Sequence, residues 1–161
     1  MKTKVFPNDV FFEEVIARVN EGEHVYIHAK GYSMTPFILN NKDKVVLAKP
    51  DETSVAKGNI LLVRLNNGRF ILHRVESVSG DEIVLRGDGN VSGREHCRRE
   101  NVLAEVAGII KNNRSIKKGS PRWKRYERLW PSNSLARRIL LMIYRKIFGR
   151  GDEDLNPTEP A

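Results

Sequence analysis

Three short segments carry a serine, a histidine and an aspartate that together could perform acyl-transfer chemistry. Ser33 lies in Gly31-Tyr32-Ser33-Met34-Thr35-Pro36, with Pro36 closing a turn. His73 interrupts an apolar run, Phe70-Ile71-Leu72-His73-Arg74-Val75, and Asp88 lies in the tight-turn sequence Gly87-Asp88-Gly89-Asn90. A serine hydroxyl is a poor nucleophile near neutral pH and needs a base within roughly 2.6–3.2 Å. Histidine suits that task because its unperturbed pKa, about 6.5, leaves it mostly neutral. A carboxylate can hold the ring in the useful tautomer and stabilise the imidazolium that forms. Glycine at position 31 lets backbone N–H groups approach a developing oxyanion. Taken singly, each residue has a plainer reading: a turn serine, a packed strand histidine and a turn-forming aspartate.

In this order the three boxes resemble those of type I signal peptidases and the related self-cleaving repressor proteases. Gly31–Pro36 is similar to their Ser-Met-x-Pro box. In bacterial signal peptidases and in the repressors the base is a lysine on a later strand. The His73-Arg74-Val75 sequence is instead similar to the archaeal, endoplasmic-reticulum and sporulation-type signal peptidases. That branch has histidine there and a following Gly-Asp-x-Asn box, which Gly87–Asn90 matches. Asn101–Ile110 resembles the closing strand of the same domain, so the resemblance covers roughly residues 24–110.

The resemblance implies a role for each residue. Ser33 would be the nucleophile and His73 the general base, with Asp88 orienting or charge-balancing His73. The Ser33 N–H would be one oxyanion donor, and Gly31 could serve only through its backbone. Met34 would line the substrate groove and Pro36 would shape the turn. Two departures stand out. Gly58-Asn59 occupies a place where members often have Gly-Asp, and Glu95 is only a candidate for the second acid that the histidine branch usually carries. The implied activity is a serine endopeptidase that cuts a peptide or preprotein, bound as an extended strand, after small side chains. The departures keep open a catalytically silent peptide- or membrane-binding module on the same fold, and the likeness to the repressors keeps open a cytoplasmic self-cleaving regulator, against which stand the missing helix-turn-helix and lysine base.

The elements that must position these residues read as mainly β, a folded sheet or barrel with a helix at each end. Asn8 or Asp9 can cap a first helix carrying Phe11, Phe12, Val15, Ile16 and Val19 on one face, with Gly22 ending it. Strands are expected at His24–Ala29, Lys44–Ala48, Ile60–Leu65, Arg69–Val78, Glu82–Arg86 and Val102–Ile110, with Asn66-Asn67-Gly68 as a hairpin turn. His24, Tyr26 and His28 share one face of the first strand by the period of two, and no third ligand makes the two histidines a metal site. Cys97 beside His96 makes none either. One cysteine excludes an intramolecular disulfide, and no cofactor is expected.

Charge divides the chain. Residues 1–110 hold 15 Lys+Arg and 15 Asp+Glu, residues 111–150 hold 13 against the single Glu127, and residues 151–161 hold four acids and no base. The expected organisation is therefore an N-terminal helix at 1–22, a peptidase-like β domain at 23–112, a basic helical appendage at 113–150 and an acidic disordered tail at 151–161. In the appendage, Arg122, Trp123, Lys124, Arg125 and Trp130 form a basic segment with interleaved aromatics. Leu135–Phe148 then follows the helical period, with Leu135, Ala136, Ile139, Leu140, Ile143 and Ile147 on one side. Arg137, Arg138, Arg145 and Lys146 fall largely elsewhere. Such a helix can lie on an anionic membrane surface or pack on its own domain or a partner. Nucleic acid is not expected, because no recognised reading motif accompanies the cations. No export signal or membrane anchor is visible in the sequence. The expected location is cytoplasmic, with peripheral attachment to the inner face of the membrane as the variant the helix suggests.

Overall fold

A computed structural model describes residues 8–149 of the 161. The expected acidic tail at 151–161 lies outside the described residues. Helix α1 (Asn8–Asn20) is the first element of the described residues and buries Val15 and Val19. It ends where Gly22 adopts φ +90°, its N–H donating to Val19 O while the Glu23 N–H donates to Arg18 O. That paired closure satisfies two of the last carbonyls and needs a left-handed residue.

Eight strands follow: β1 (Val25–His28), β2 (Lys44–Ala48), β3 (Ile60–Arg64), β4 (Phe70–Ser79), β5 (Glu82–Arg86), β6 (Glu95–Arg98), β7 (Val102–Lys111) and β8 (Arg114–Lys117). All pair antiparallel, in the order β1-β2-β7-β3-β4-β5-β6, with β8 against β7. The mainly β expectation holds. Helices α2 (Pro121–Leu129) and α3 (Ser134–Phe148) complete the described chain.

Strand alternation splits the core in two. On β3, Ile60 and Leu62 join one cluster with Val45, Leu47, Val106 and Ile109, while Leu61 and Val63 join another with Ile71, Val75, Ile83 and Leu85. Adjacent strand residues point to opposite faces, so these are the two faces of one sheet. Burying a Leu or Ile fully contributes about 1.5–3 kcal/mol, and residues 60–63 are all buried, which anchors β3 on both faces.

The basic segment does not stand apart from the domain. β8 extends the sheet through Ile109↔Ile116, and Trp123 is 1% exposed inside the larger core cluster. The Phe37 ring meets Trp123 edge-on and stacks on Tyr126 at 4.2 Å between centroids. Ser120 caps α2, accepting from the Trp123 N–H, and Pro121 follows at the first helical position, where its missing N–H costs nothing. Asn133 caps α3, its Oδ1 accepting from the N–H groups of Leu135 and Ala136.

Candidate active site

Ser33 sits in the connection between β1 and β2. Two anchors hold that connection. Asp43, buried at its far end, accepts from the Leu39 N–H at 2.7 Å and pairs with Lys111 of β7. The Ala29 N–H donates to Asp43 O, and the Asn41 N–H returns to Ala29 O. Within the loop, the Thr35 N–H donates to Tyr32 O, and Thr35–Pro36 is a cis bond. Met34, expected in the substrate groove, is instead buried in the core with Phe37 and Ile38, so it holds the loop down. The Gly31 N–H, a candidate oxyanion donor, is already taken by Asn40 Oδ1 at 2.9 Å. The Ser33 N–H makes no hydrogen bond among the described residues.

The second segment is a tight turn after β5, closed by the Asn90 N–H on Gly87 O at 3.0 Å. It presses on the serine loop. The Gly89 N–H donates to Ser33 O at 2.7 Å, and a Cβ on Gly87 or Gly89 would lie 2.3 Å from Ser33 O or 2.4 Å from Tyr32 O. Only glycine permits two backbones to approach this closely. Here the Gly-Asp-Gly-Asn sequence acts through its glycines.

The third segment is β4. Arg74 pairs with Arg86 as the last pair of the β4–β5 ladder, so His73, just before Arg74, and Gly87, just after Arg86, both lie at that end of it. The structure thus joins the Ser33 loop to the Gly87–Asn90 turn directly, and that turn leaves the sheet at the end of β5 where β4 carries His73. His73 is 6% exposed, its Nδ1 is buried without a partner, and no hydrogen bond joins it to Ser33. Burial pushes its imidazole basicity down, against the opposing pull of Glu95 and Asp88. A base depressed in this way stays neutral at physiological pH.

Asp88 does not hold His73 by a hydrogen bond. Both its carboxylate oxygens receive Arg74, Nε at 2.9 Å and Nη2 at 2.8 Å. Strand geometry is the reason. Arg74 follows His73 directly and so faces the other side of β4, where its guanidinium also lies 5.0 Å from the Phe37 ring and donates to Gly58 O. The carboxylate on the His73 side is Glu95. It shares the parity of buried Cys97 on β6, pairs with Leu85, and exerts the larger carboxylate pull on His73. It is itself held by Arg69 Nη2 at 3.3 Å. Asn59, where members often have Asp, uses its amide structurally, donating to Thr53 O and Ser54 O.

The C-terminal helices close over the back of the turn. Trp130 Nε1 donates to Asp88 O at 3.1 Å. Buried Arg137 donates to Gly87 O, Asn90 O and Pro131 O. Buried Arg86 reaches Glu76, Val91 O and Ser132 O. Trp123, Trp130 and Arg137, expected as membrane-surface residues, therefore point inward and are spent on the fold and the site. The arginines were the part sequence reading missed. The available signal was a string of arginines (74, 86 and 137) set among apolar or strand-forming residues rather than in polar loops.

No curated protein matches the chain. The model of the Peptidase S24-like family matches residues 3–110, more than half of the 161, and takes in Ser33, His73, Asp88 and Glu95 together. The chain belongs to the Peptidase S24-like family.

Proposed function

We propose that this chain is a serine endopeptidase in which Ser33 attacks a peptide carbonyl while His73 removes its proton. The single observation that carries this reading is His73: a buried, poorly basic imidazole with an unpartnered ring nitrogen, at the end of the β4–β5 ladder from which the turn that grips the Ser33 backbone leads. A buried polar atom left unpaired costs about 1–3 kcal/mol, and a catalytic role is one reason for a native structure to keep such an atom. In the reaction, the Ser33 Oγ–carbon bond forms as the proton passes to His73, and the Ser33 N–H faces the oxyanion. The peptide C–N bond then breaks as His73 returns the proton to the leaving amine. Water, activated by the same imidazole, hydrolyses the ester and restores the serine. Glu95 supports the imidazolium by its field, with Asp88 acting at longer range through the sheet. A histidine base in place of lysine supports the signal-peptidase side of the superfamily, and with it a preprotein or other extended peptide as substrate.

One observation favours a second reading, a silent peptide-binding module: the absence of a Ser33–His73 hydrogen bond. Catalytic hydrogen bonds are often long before substrate tightens them, so the enzyme reading is preferred. The test is incubation of wild type, Ser33→Ala and His73→Ala with a peptide library, with new termini read by mass spectrometry. Cleavage lost in both variants supports the enzyme. Cleavage that survives in either variant, or wild type that binds extended peptides without cutting any, rejects it.

A further inference from the structure

Helix α3 is built inside out. Its outward face carries Leu135, Ile139, Met142, Ile143 and Ile147, recurring every three or four residues, and their exposures run from 48% to 67%. Its inward face carries Arg137 and Leu141, both buried, and half-buried Tyr144. A helix packed on a soluble domain normally turns its apolar stripe to the core and its charges to water. Here an arginine takes the core side and the aliphatics take the solvent side. The reversal is fixed, because Arg137 is bound to three backbone carbonyls and cannot rotate outward without abandoning them. Contiguous exposed apolar surface of this kind marks an interaction site.

We infer that this face lies on an anionic lipid surface, parallel to the membrane plane. Charge selects that occupant. Residues 111–150 hold 13 Lys+Arg against Glu127 alone. Arg138 and Arg145 of α3 are exposed beside the apolar stripe, Lys146 is exposed within it, where its long stem can carry the ammonium to a headgroup, and α3 contains no acid. Arg122, Lys124, Arg125 and Arg128 are exposed on α2. A second copy of this chain would bring these cations against one another, whereas a bilayer containing acidic headgroups neutralises them while its acyl boundary accepts the aliphatics. No helix among the described residues is long and apolar enough to cross a membrane, so the mode is attachment to the surface. Two weak signals, apolar insertion and basic attraction, together make such attachment stable.

The experiment is flotation of the full chain with vesicles of phosphatidylcholine alone or mixed with phosphatidylglycerol, at low and high salt. It reads binding and is independent of any peptidase activity. Expected is binding to the mixed vesicles only, weakened by salt. Ile139→Glu with Ile143→Glu should reduce partitioning at least tenfold while leaving the melting temperature unchanged, since both side chains are exposed. Arg138→Gln with Arg145→Gln should reduce it roughly fivefold per cation removed. Three results would overturn the inference. One is equal binding to neutral and anionic vesicles, and another is no binding to either. The third is a concentration-dependent dimer, without vesicles, that the isoleucine variants abolish, which would assign the face to a second copy.

Discussion

Replacing Gly87 by alanine isolates the contact that holds the serine loop to the Gly87–Asn90 turn. Gly87 is not in the left-handed region, so its backbone accepts alanine and the cost is one of packing. The new methyl would lie 2.3 Å from Ser33 O, 2.8 Å from Asn90 Nδ2 and 3.1 Å from Ser33 C. Moving from 2.3 Å to 3.0 Å, the shortest separation real Cβ atoms tolerate, displaces backbone against backbone by about 0.7 Å. Neither side yields easily: Gly87 O is held by Arg137, and the serine loop by Met34, Phe37 and Asp43. Overpacking of this kind costs about 1–3 kcal/mol, and a nucleophile displaced on the 1 Å scale can lose about a hundredfold in rate. Urea denaturation should therefore show a loss of about 1–3 kcal/mol. Peptide cleavage should fall by at least about tenfold in kcat/KM. The control is Gly93→Ala in the segment just beyond, where an added Cβ meets nothing within 4 Å and the backbone is again not left-handed. It should stay within about 0.5 kcal/mol of wild type and keep full activity. If the two variants behave alike in both assays, the argument that close backbone approach positions Ser33 fails.

Three further outcomes are expected. Asp88→Asn strips the carboxylate from a buried bidentate pair and leaves Arg74 uncompensated; chemical denaturation should show a loss of about 3–5 kcal/mol, and a loss under about 1 kcal/mol would mean that Gly58 O and Glu127 satisfy Arg74 unaided. Burial depresses the folded basicity of His73, so the folded protein holds fewer protons there than the unfolded chain. That stability is present above the unfolded value of about 6.5 and is lost as pH falls through the folded one. Denaturation at neutral and mildly acid pH should show this slope flattened by His73→Gln, and the acid limb of kcat/KM should fall below the pKa of a free histidine. Trp123→Ala removes a fully buried indole and its bond to Glu127 Oε1; the cost should be about 3–5 kcal/mol in a calorimetric melt, whereas an unchanged melt would show that α2 is dispensable to the core.

The strands with alternating aliphatics were legible in the sequence, and the limits of Lys44–Ala48 and Glu82–Arg86 matched the observed β2 and β5. β6 and β8 were not. Glu95-His96-Cys97-Arg98 and Arg114-Ser115-Ile116-Lys117 each carry one apolar residue, too few to show a period, and both are defined by the neighbours they pair with. The serine, the histidine and the glycine turn were legible as separate boxes. Which face of β4 each acid would reach was not, because that depends on the ladder register beyond Arg86 and on what Arg74 pairs with. Helix α3 was legible as an amphipathic helix over Leu135–Phe148. Its direction was hidden, since periodicity identifies a stripe without saying which way it turns, and Arg137 settles that through carbonyls supplied by a loop far away in sequence.

The ladder order has a consequence for how this molecule comes into being. β1 and β2 carry the serine loop, while β3 to β6 carry the histidine and the glycine turn, and among the described strands β7 alone joins the two groups. Residues 102–111 are thus the last piece of sheet needed before the Ser33 loop and His73 belong to one continuous sheet. Pairings so distant along the chain form slowly, because loop closure must precede any reward. During synthesis, at about 5–20 residues per second, the emerging polypeptide holds two half-sites with no ladder between them. On the proposed reading, any hydrolytic competence therefore arrives late and all at once, when β7 closes the sheet.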